Sequence, residues 1–118
     1  LHQEDGQVKV IPDAFLTDPL GWAGNQSAHA LLIGCGGFAL AAVTPLSRAQ
    51  AFGLVLAIFG LWEIVTFAGD VLDGVTDFAF VAAGAFFGKA AWERDRFAMA
   101  ITFAGLCLAA GIGVWGRL

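Results

Sequence analysis

The strongest constraint on this chain is its succession of four long apolar runs, which short polar connections separate. The runs cover residues 28–43, 51–68, 70–92 and 97–115. An α-helix needs about 20 mostly apolar residues to cross the hydrocarbon core of a bilayer. The pattern therefore predicts an all-α polytopic membrane protein, a four-helix transmembrane bundle. The predicted spans lie at about residues 26–43, 51–68, 71–91 and 97–115.

The composition argues against a soluble domain and against a nucleic-acid partner. Hydrophobic residues make up 58% of the 118 positions, and the mean hydropathy is +0.77. A domain of this size could not hide so much apolar surface in its own core. The net charge of −4 would repel nucleic acid. Cys35 and Cys107 lie within apolar runs, where we expect both to act as small hydrophobic side chains.

Residues 1–24 are polar to mixed and contain Pro12 and Pro19. Because proline interrupts a continuous helix, this segment is predicted to be an extramembrane N-terminal arm. A flexible tail and a docking element are both compatible with it, and its polar start shows no signal-peptide pattern. Asn25 or Ser27 is expected to cap the first transmembrane helix.

The basic residues predict how the chain is oriented. The connections after the first and third runs carry Arg48, Lys89, Arg94 and Arg96. The opposite side carries Lys9 and Arg117. Since cytoplasmic loops are enriched in Lys and Arg, we expect both connections in the cytoplasm and both termini outside it.

An acidic stretch at the start of the third run is the least expected feature of so apolar a chain. At about 100° per residue, one face of the third helix contains Asp70, Asp73, Asp77, Val81, Gly84 and Gly88. Gly84 and Gly88 are predicted to let another helix pack closely. The half of this face that carries the three aspartates should contact protein, water or headgroups, because ionised carboxylates are costly in hydrocarbon. Asp70 or Asp73 taken alone is more simply interpreted as an N-cap.

The predicted topology brings these acids near the polar residues of the first helix. Gly69 and Gly74 indicate a tight turn, which would place His29, Glu63 and the aspartates in one leaflet. We expect them within roughly 10–15 Å of one another, judging from the diameter of a helix. The candidate binding residues are Asn25, His29, Glu63, Asp70, Asp73 and Asp77.

One pattern of residues extends from the second predicted helix into the third: Glu63, Asp73, Asp77, Val81, Gly84 and Gly88. It resembles the pattern of the VanZ-like family, an acid in one span and then D-x3-D-x3-N-x2-G-x3-G, with Val81 in place of the asparagine. That family consists of small bacterial integral membrane proteins, and related proteins occur in phage genomes. Some members are associated with glycopeptide resistance. The resemblance implies a location in the bacterial inner membrane, or a phage-encoded equivalent.

The main functional hypothesis is a non-enzymatic membrane protein without a cofactor. Its acidic hairpin between helices two and three would bind a lipid-linked envelope ligand, or would bind another subunit of a larger membrane assembly. The carboxylates would be tolerated because they pair with His29, with Asn25 and Gln26, with an arginine of a partner or with a cation.

The alternative hypothesis is a membrane-embedded hydrolase that depends on a divalent cation. Its metal ligands would be His29, Glu63, Asp73 and Asp77. No G-x-S-x-G nucleophile motif accompanies them. Ion conduction is disfavoured, because no ionisable residue continues the path through the inner leaflet before Arg48 and Lys89.

Overall fold

The computed structural model describes residues 2–4, 7–9, 18–66 and 70–118. Near the N-terminus, β1 (His2–Glu4) and β2 (Gln7–Lys9) pair antiparallel, with Gln3 opposite Val8. The helices are α1 (Pro19–Ala28), π1 (His29–Cys35), α2 (Gly36–Ala42), α3 (Arg48–Val65), α4 (Val71–Trp92) and α5 (Arg96–Gly116). Three of them, α3, α4 and α5, are long and apolar enough to cross a membrane. This finding agrees with the predicted multi-pass helical membrane protein.

The first three helical stretches form one continuous helix, because the backbone is helical at both junctions, His29 and Gly36. This helix begins at Pro19, and the Asp18 carboxylate caps it by accepting a hydrogen bond from the Gly21 N–H at 2.7 Å. The prediction that Asn25 or Ser27 caps this helix is therefore wrong, and residues 19–24 of the predicted extramembrane arm are helical. Proline starts a helix readily, since the first helical N–H has no intrahelical acceptor to lose.

The central helix is α4, which contacts π1, α3 and α5. Its contact with π1 is made between backbones. A Cβ added to Gly84 would overlap the Ala30 carbonyl oxygen, and a Cβ added to Gly34 would overlap that of Val81. One turn farther along α4, a Cβ on Gly88 would lie 3.3 Å from the Cys35 Sγ. Small residues permit this approach where lipid supplies no hydrophobic contrast between helices.

An apolar core lies between α2, α3 and α4. Its buried side chains include Phe38, Val55, Phe59 and Val81. In contrast, none of the residues of α5 is buried. The tightest packing is therefore between the first helix, α3 and α4, whereas the residues of α5 are all partly or fully exposed.

The end of α4 opposite the acidic stretch is closed by ion pairs and a tight turn. Glu93 lies 3.0 Å from the Lys89 Nζ and 3.6 Å from the Arg48 Nε. Arg94 adopts a left-handed conformation (φ 58°), and the Asp95 N–H donates to the Ala90 carbonyl at 2.8 Å. This arrangement satisfies carbonyls that the end of a helix leaves without a partner.

The connection between α3 and α4 contains residues outside the described part of the chain. The structure follows α3 to Val65 and resumes at Asp70. Gly69, for which a turn was predicted, and the last residues of the predicted span 51–68 lie in the gap. The first 17 residues are described only at the two strands, so most of the predicted arm also lies outside the described residues.

Candidate functional site

Among the described residues, the most deeply buried carboxylate belongs to Asp77 on α4, which is only 9% exposed. Gln26 of α1 donates from its Nε2 to the Asp77 Oδ1 at 2.8 Å. The His29 Nε2 lies 3.8 Å from the other carboxylate oxygen. These contacts connect the first helix to the central helix through polar groups, so an acid inside an apolar run is partnered within the protein.

The orientation of the His29 ring follows from its second contact. Its Nδ1 lies 2.7 Å from the Asn25 carbonyl oxygen. Because a carbonyl oxygen only accepts hydrogen bonds, Nδ1 carries a proton and Nε2 faces Asp77. Asn25, a predicted binding residue, contributes its backbone to this network and not its side chain.

Gln26 was one of the partners predicted for the carboxylates, although it was not among the candidate binding residues. It is 1% exposed, and within the described residues its Oε1 has no hydrogen-bond partner. The signal was its position three residues before His29, which puts both side chains on one helix face. A polar side chain on that face, opposite Asp77 in a neighbouring helix, is the expected way to satisfy a buried carboxylate.

A groove of about 460 Å³ opens where α3 ends and α4 begins. Its polar lining comes from Glu63, Asp70 and Asp73, and its apolar lining includes Ile64 and Phe78. We call this opening the acidic groove. The Glu63 Oε2 approaches α4 at Gly74, where an added Cβ would lie 3.4 Å from it. The missing side chain of Gly74 thus leaves room for the carboxylate against the neighbouring helix.

The three acids of the groove differ in what they contact. The Asp70 carboxylate caps α4 by accepting a hydrogen bond from the Asp73 N–H at 3.0 Å. Glu63 is half-buried and Asp73 is exposed. Neither of these two side chains makes a hydrogen bond or an ion pair with any other described residue. Two carboxylates at the end of the helices are therefore left without a partner in the described part of the chain.

The geometry gives no support to a metal centre among the predicted ligands. In residues 18–66 and 70–118, no three His, Cys, Asp or Glu side chains converge closely enough to hold a metal ion. His29 and Asp77 face each other, whereas Glu63 and Asp73 line the acidic groove. The ligand set of the hydrolase hypothesis is thus divided between two places.

The chain matches no protein-family model, no curated protein and no solved structure. The resemblance to the VanZ-like family therefore stays a prediction that rests on the residue pattern alone. What the protein does has to be inferred from the contacts and charges of its own residues.

Proposed function

We propose that this protein is a non-catalytic, four-span component of the bacterial inner membrane that binds a basic side chain of a partner membrane protein in the acidic groove. The observation that carries the proposal is the pair Glu63 and Asp73, two carboxylates without a hydrogen-bond or ion-pair partner in the described residues. Carboxylates at membrane depth cost a few kcal/mol unless they are paired or hydrated. An accessory subunit supplies such acids to a partner that brings the cation.

The proposal counts four membrane-spanning helices: α3, α4, α5 and the first helix of the chain. Residues 19–42 form one rod of about 36 Å at a rise of 1.5 Å per residue, which exceeds a hydrocarbon core of about 30 Å. Its polar residues Gln26 and His29 contact Asp77 of α4 and are thereby shielded from lipid. Four spans bring both termini to the same side.

The lining of the groove favours an arginine or lysine side chain as its occupant. Ile64, Val71 and Phe78 offer apolar surface beside the carboxylates. A long basic side chain lays its methylene stem along apolar surface and keeps its charged end at the polar boundary. A charge-assisted hydrogen bond to a carboxylate is about twice as strong as a neutral one.

Co-purification tests the proposal. Tagged protein is extracted from its host in a mild detergent and analysed by native mass spectrometry, beside the double variant Glu63→Gln/Asp73→Asn. We expect a membrane protein to accompany the wild type and to be lost from the double variant. Glu93→Gln is the matched control, since Glu93 lies at the other end of α4 in ion pairs with Lys89 and Arg48.

Three results would contradict the proposal. One is a wild-type protein that carries no partner, and another is a partner that the double variant retains. The third is one equivalent of a divalent cation that Glu63→Gln/Asp73→Asn loses, which would revive the hydrolase hypothesis. If a lipid-linked molecule accompanies the wild type in place of a partner protein, the acidic groove binds the lipid-linked envelope ligand that was also predicted from the sequence.

A further inference from the structure

A second groove runs along the contact between α4 and α5. Its outer part, about 580 Å³, lies where α4 begins and α5 ends, and its inner part, about 310 Å³, lies deeper between the same helices. The two parts meet at Ala79, Phe80 and Ala109, which line both. We call the whole opening the α4–α5 groove.

Charges of both signs stand at the mouth of this groove. Asp70 and Asp73 line it from the start of α4, and Arg117 lines it from the end of α5. The Arg117 guanidinium lies over the Trp22 ring, 4.2 Å from its centroid, and donates to the Gly113 carbonyl at 3.0 Å. The positive charge is therefore held in place on an aromatic ring, opposite the carboxylates.

Deeper in the groove, the lining becomes apolar. Phe80, Ala109 and Ile112 follow the charged residues, and Leu106 continues the wall inward. At the inner end, Gly105 faces open space, since a Cβ added to it would meet no atom within 4 Å. The groove is thus charged at its mouth and apolar along the rest of its length. A lipid, with a charged headgroup and an apolar acyl chain, has the same distribution of polarity.

We propose that the α4–α5 groove binds one phospholipid whose zwitterionic headgroup carries a primary ammonium. The phosphate lies at Arg117, whose planar fork of donors suits phosphate oxygens. The ammonium lies at Asp73 and Asp70, and one acyl chain follows Phe80 and Ala109 to Gly105. An anionic headgroup is disfavoured, because its negative charge would meet the two carboxylates with no ammonium to offset it.

This site can be probed without disturbing the acidic groove. Asp70 and Asp73 border both openings, but Gly105 and Arg117 border the α4–α5 groove and not the acidic groove. Gly105→Leu leaves Glu63 and Asp73 untouched and is the variant that separates the two proposals, whereas Arg117→Gln also removes a positive charge that acts on Asp73. A failure of one proposal is thereby distinguishable from a failure of the other.

The test measures lipid retention. Wild-type protein is delipidated, incubated with mixed vesicles of equal phosphatidylethanolamine and phosphatidylglycerol, and analysed by native mass spectrometry. Gly105→Leu fills the inner end of the groove. Gly111→Leu is the matched control, because Gly111 is also on α5 with open space around it and does not line the groove. Arg117→Gln is the second variant and removes the positive charge at the mouth.

We expect one phosphatidylethanolamine per chain in the wild type and in Gly111→Leu. Gly105→Leu and Arg117→Gln should each lower its retention, the latter by about tenfold, as for the loss of a charge-assisted hydrogen bond. Equal retention by Gly105→Leu and Gly111→Leu would overturn the proposal. So would phosphatidylglycerol bound as strongly as phosphatidylethanolamine, or a second protein copy in place of a lipid.

Discussion

At Asp77, a single carboxylate is made compatible with the interior of a membrane protein. Its two oxygens face Gln26 and His29, one at 2.8 Å and the other at 3.8 Å. Burial without these partners would leave a charge in a medium that cannot solvate it. Glu63 and Asp73 are in the opposite situation, since no described residue pairs with them. We therefore assign a structural role to Asp77, which has partners inside the protein, and a binding role to Glu63 and Asp73.

A double-mutant cycle tests the structural role of Asp77. Gln26→Leu and Asp77→Leu, alone and combined, should show a coupling of about 0.5–1.7 kcal/mol in the free energy of unfolding, as for hydrogen bonds between membrane helices. Asn25→Leu with Asp77→Leu is the control pair and should be additive, because Asn25 uses its backbone carbonyl. Reversible unfolding of the protein in mixed micelles measures both cycles. A coupling near zero for Gln26 and Asp77 would show that the contact contributes nothing to stability.

The helices meet by different means. The first helix and α4 are in backbone contact at Gly34 and Gly84, which fixes where the two helices cross. The same crossing brings Gln26 to Asp77, about three turns away from Gly88 along α4. Gly113 of α5 packs closely against Trp22, but no residue of α5 is buried, and this helix leaves a groove on α4 that we assign to lipid. The first helix is thus packed against α4 backbone to backbone, whereas the grooves lie along α5 and at the junction of α3 with α4.

Three glycine-to-alanine substitutions should destabilise the fold in the order of how little space each glycine has around it. Gly84→Ala places its Cβ into the Ala30 carbonyl and should cost about 3 kcal/mol or more. Gly88→Ala meets atoms at 3.3 Å and should cost less, whereas Gly105→Ala meets none within 4 Å and should not destabilise the fold. Thermal unfolding in detergent, followed by the loss of monodisperse protein, measures the order. An unaffected Gly84→Ala would contradict the backbone contact.

For the whole molecule, the distribution of charge along the bundle predicts its orientation in the membrane. Arg48, Lys89 and Glu93 form ion pairs at one end of α4, and Glu63 and Asp70 lie at the other. The positive end is expected in the cytoplasm. Both binding proposals then concern the outer surface of the membrane, where the acidic groove and the mouth of the α4–α5 groove open.

Cysteine labelling in intact cells tests this placement. In a protein without Cys35 and Cys107, an impermeant maleimide should label Leu20→Cys and Leu118→Cys, two exposed positions. Leu46→Cys, in the connection before α3, should react only after the cells are lysed. Labelling of Leu20→Cys and Leu46→Cys from the same side would rule out a membrane crossing by the first helix. That result would leave the three spans that length and composition already support.

Some parts of the structure follow from short stretches of sequence. Asp70 caps α4, as predicted from its position. The first N–H groups of a helix have no intrahelical acceptor, and a carboxylate just before the helix supplies one. The start of the first helix at Pro19 was missed, since proline was taken as a barrier and not as a first residue. Gln26 was predicted only as one of several partners for the carboxylates, because no local signal says which polar side chain faces which acid on another helix.

The sequence by itself determined that this chain forms apolar helices for a membrane, since hydropathy and helix length are summed over neighbouring residues. Only the tertiary structure decided that Gln26 reaches Asp77, 51 positions later, and that Glu63 and Asp73 are left to line a groove. Such pairings depend on where two helices cross. In this protein the crossing is set by Gly34 and Gly84, whose missing side chains allow two backbones to touch.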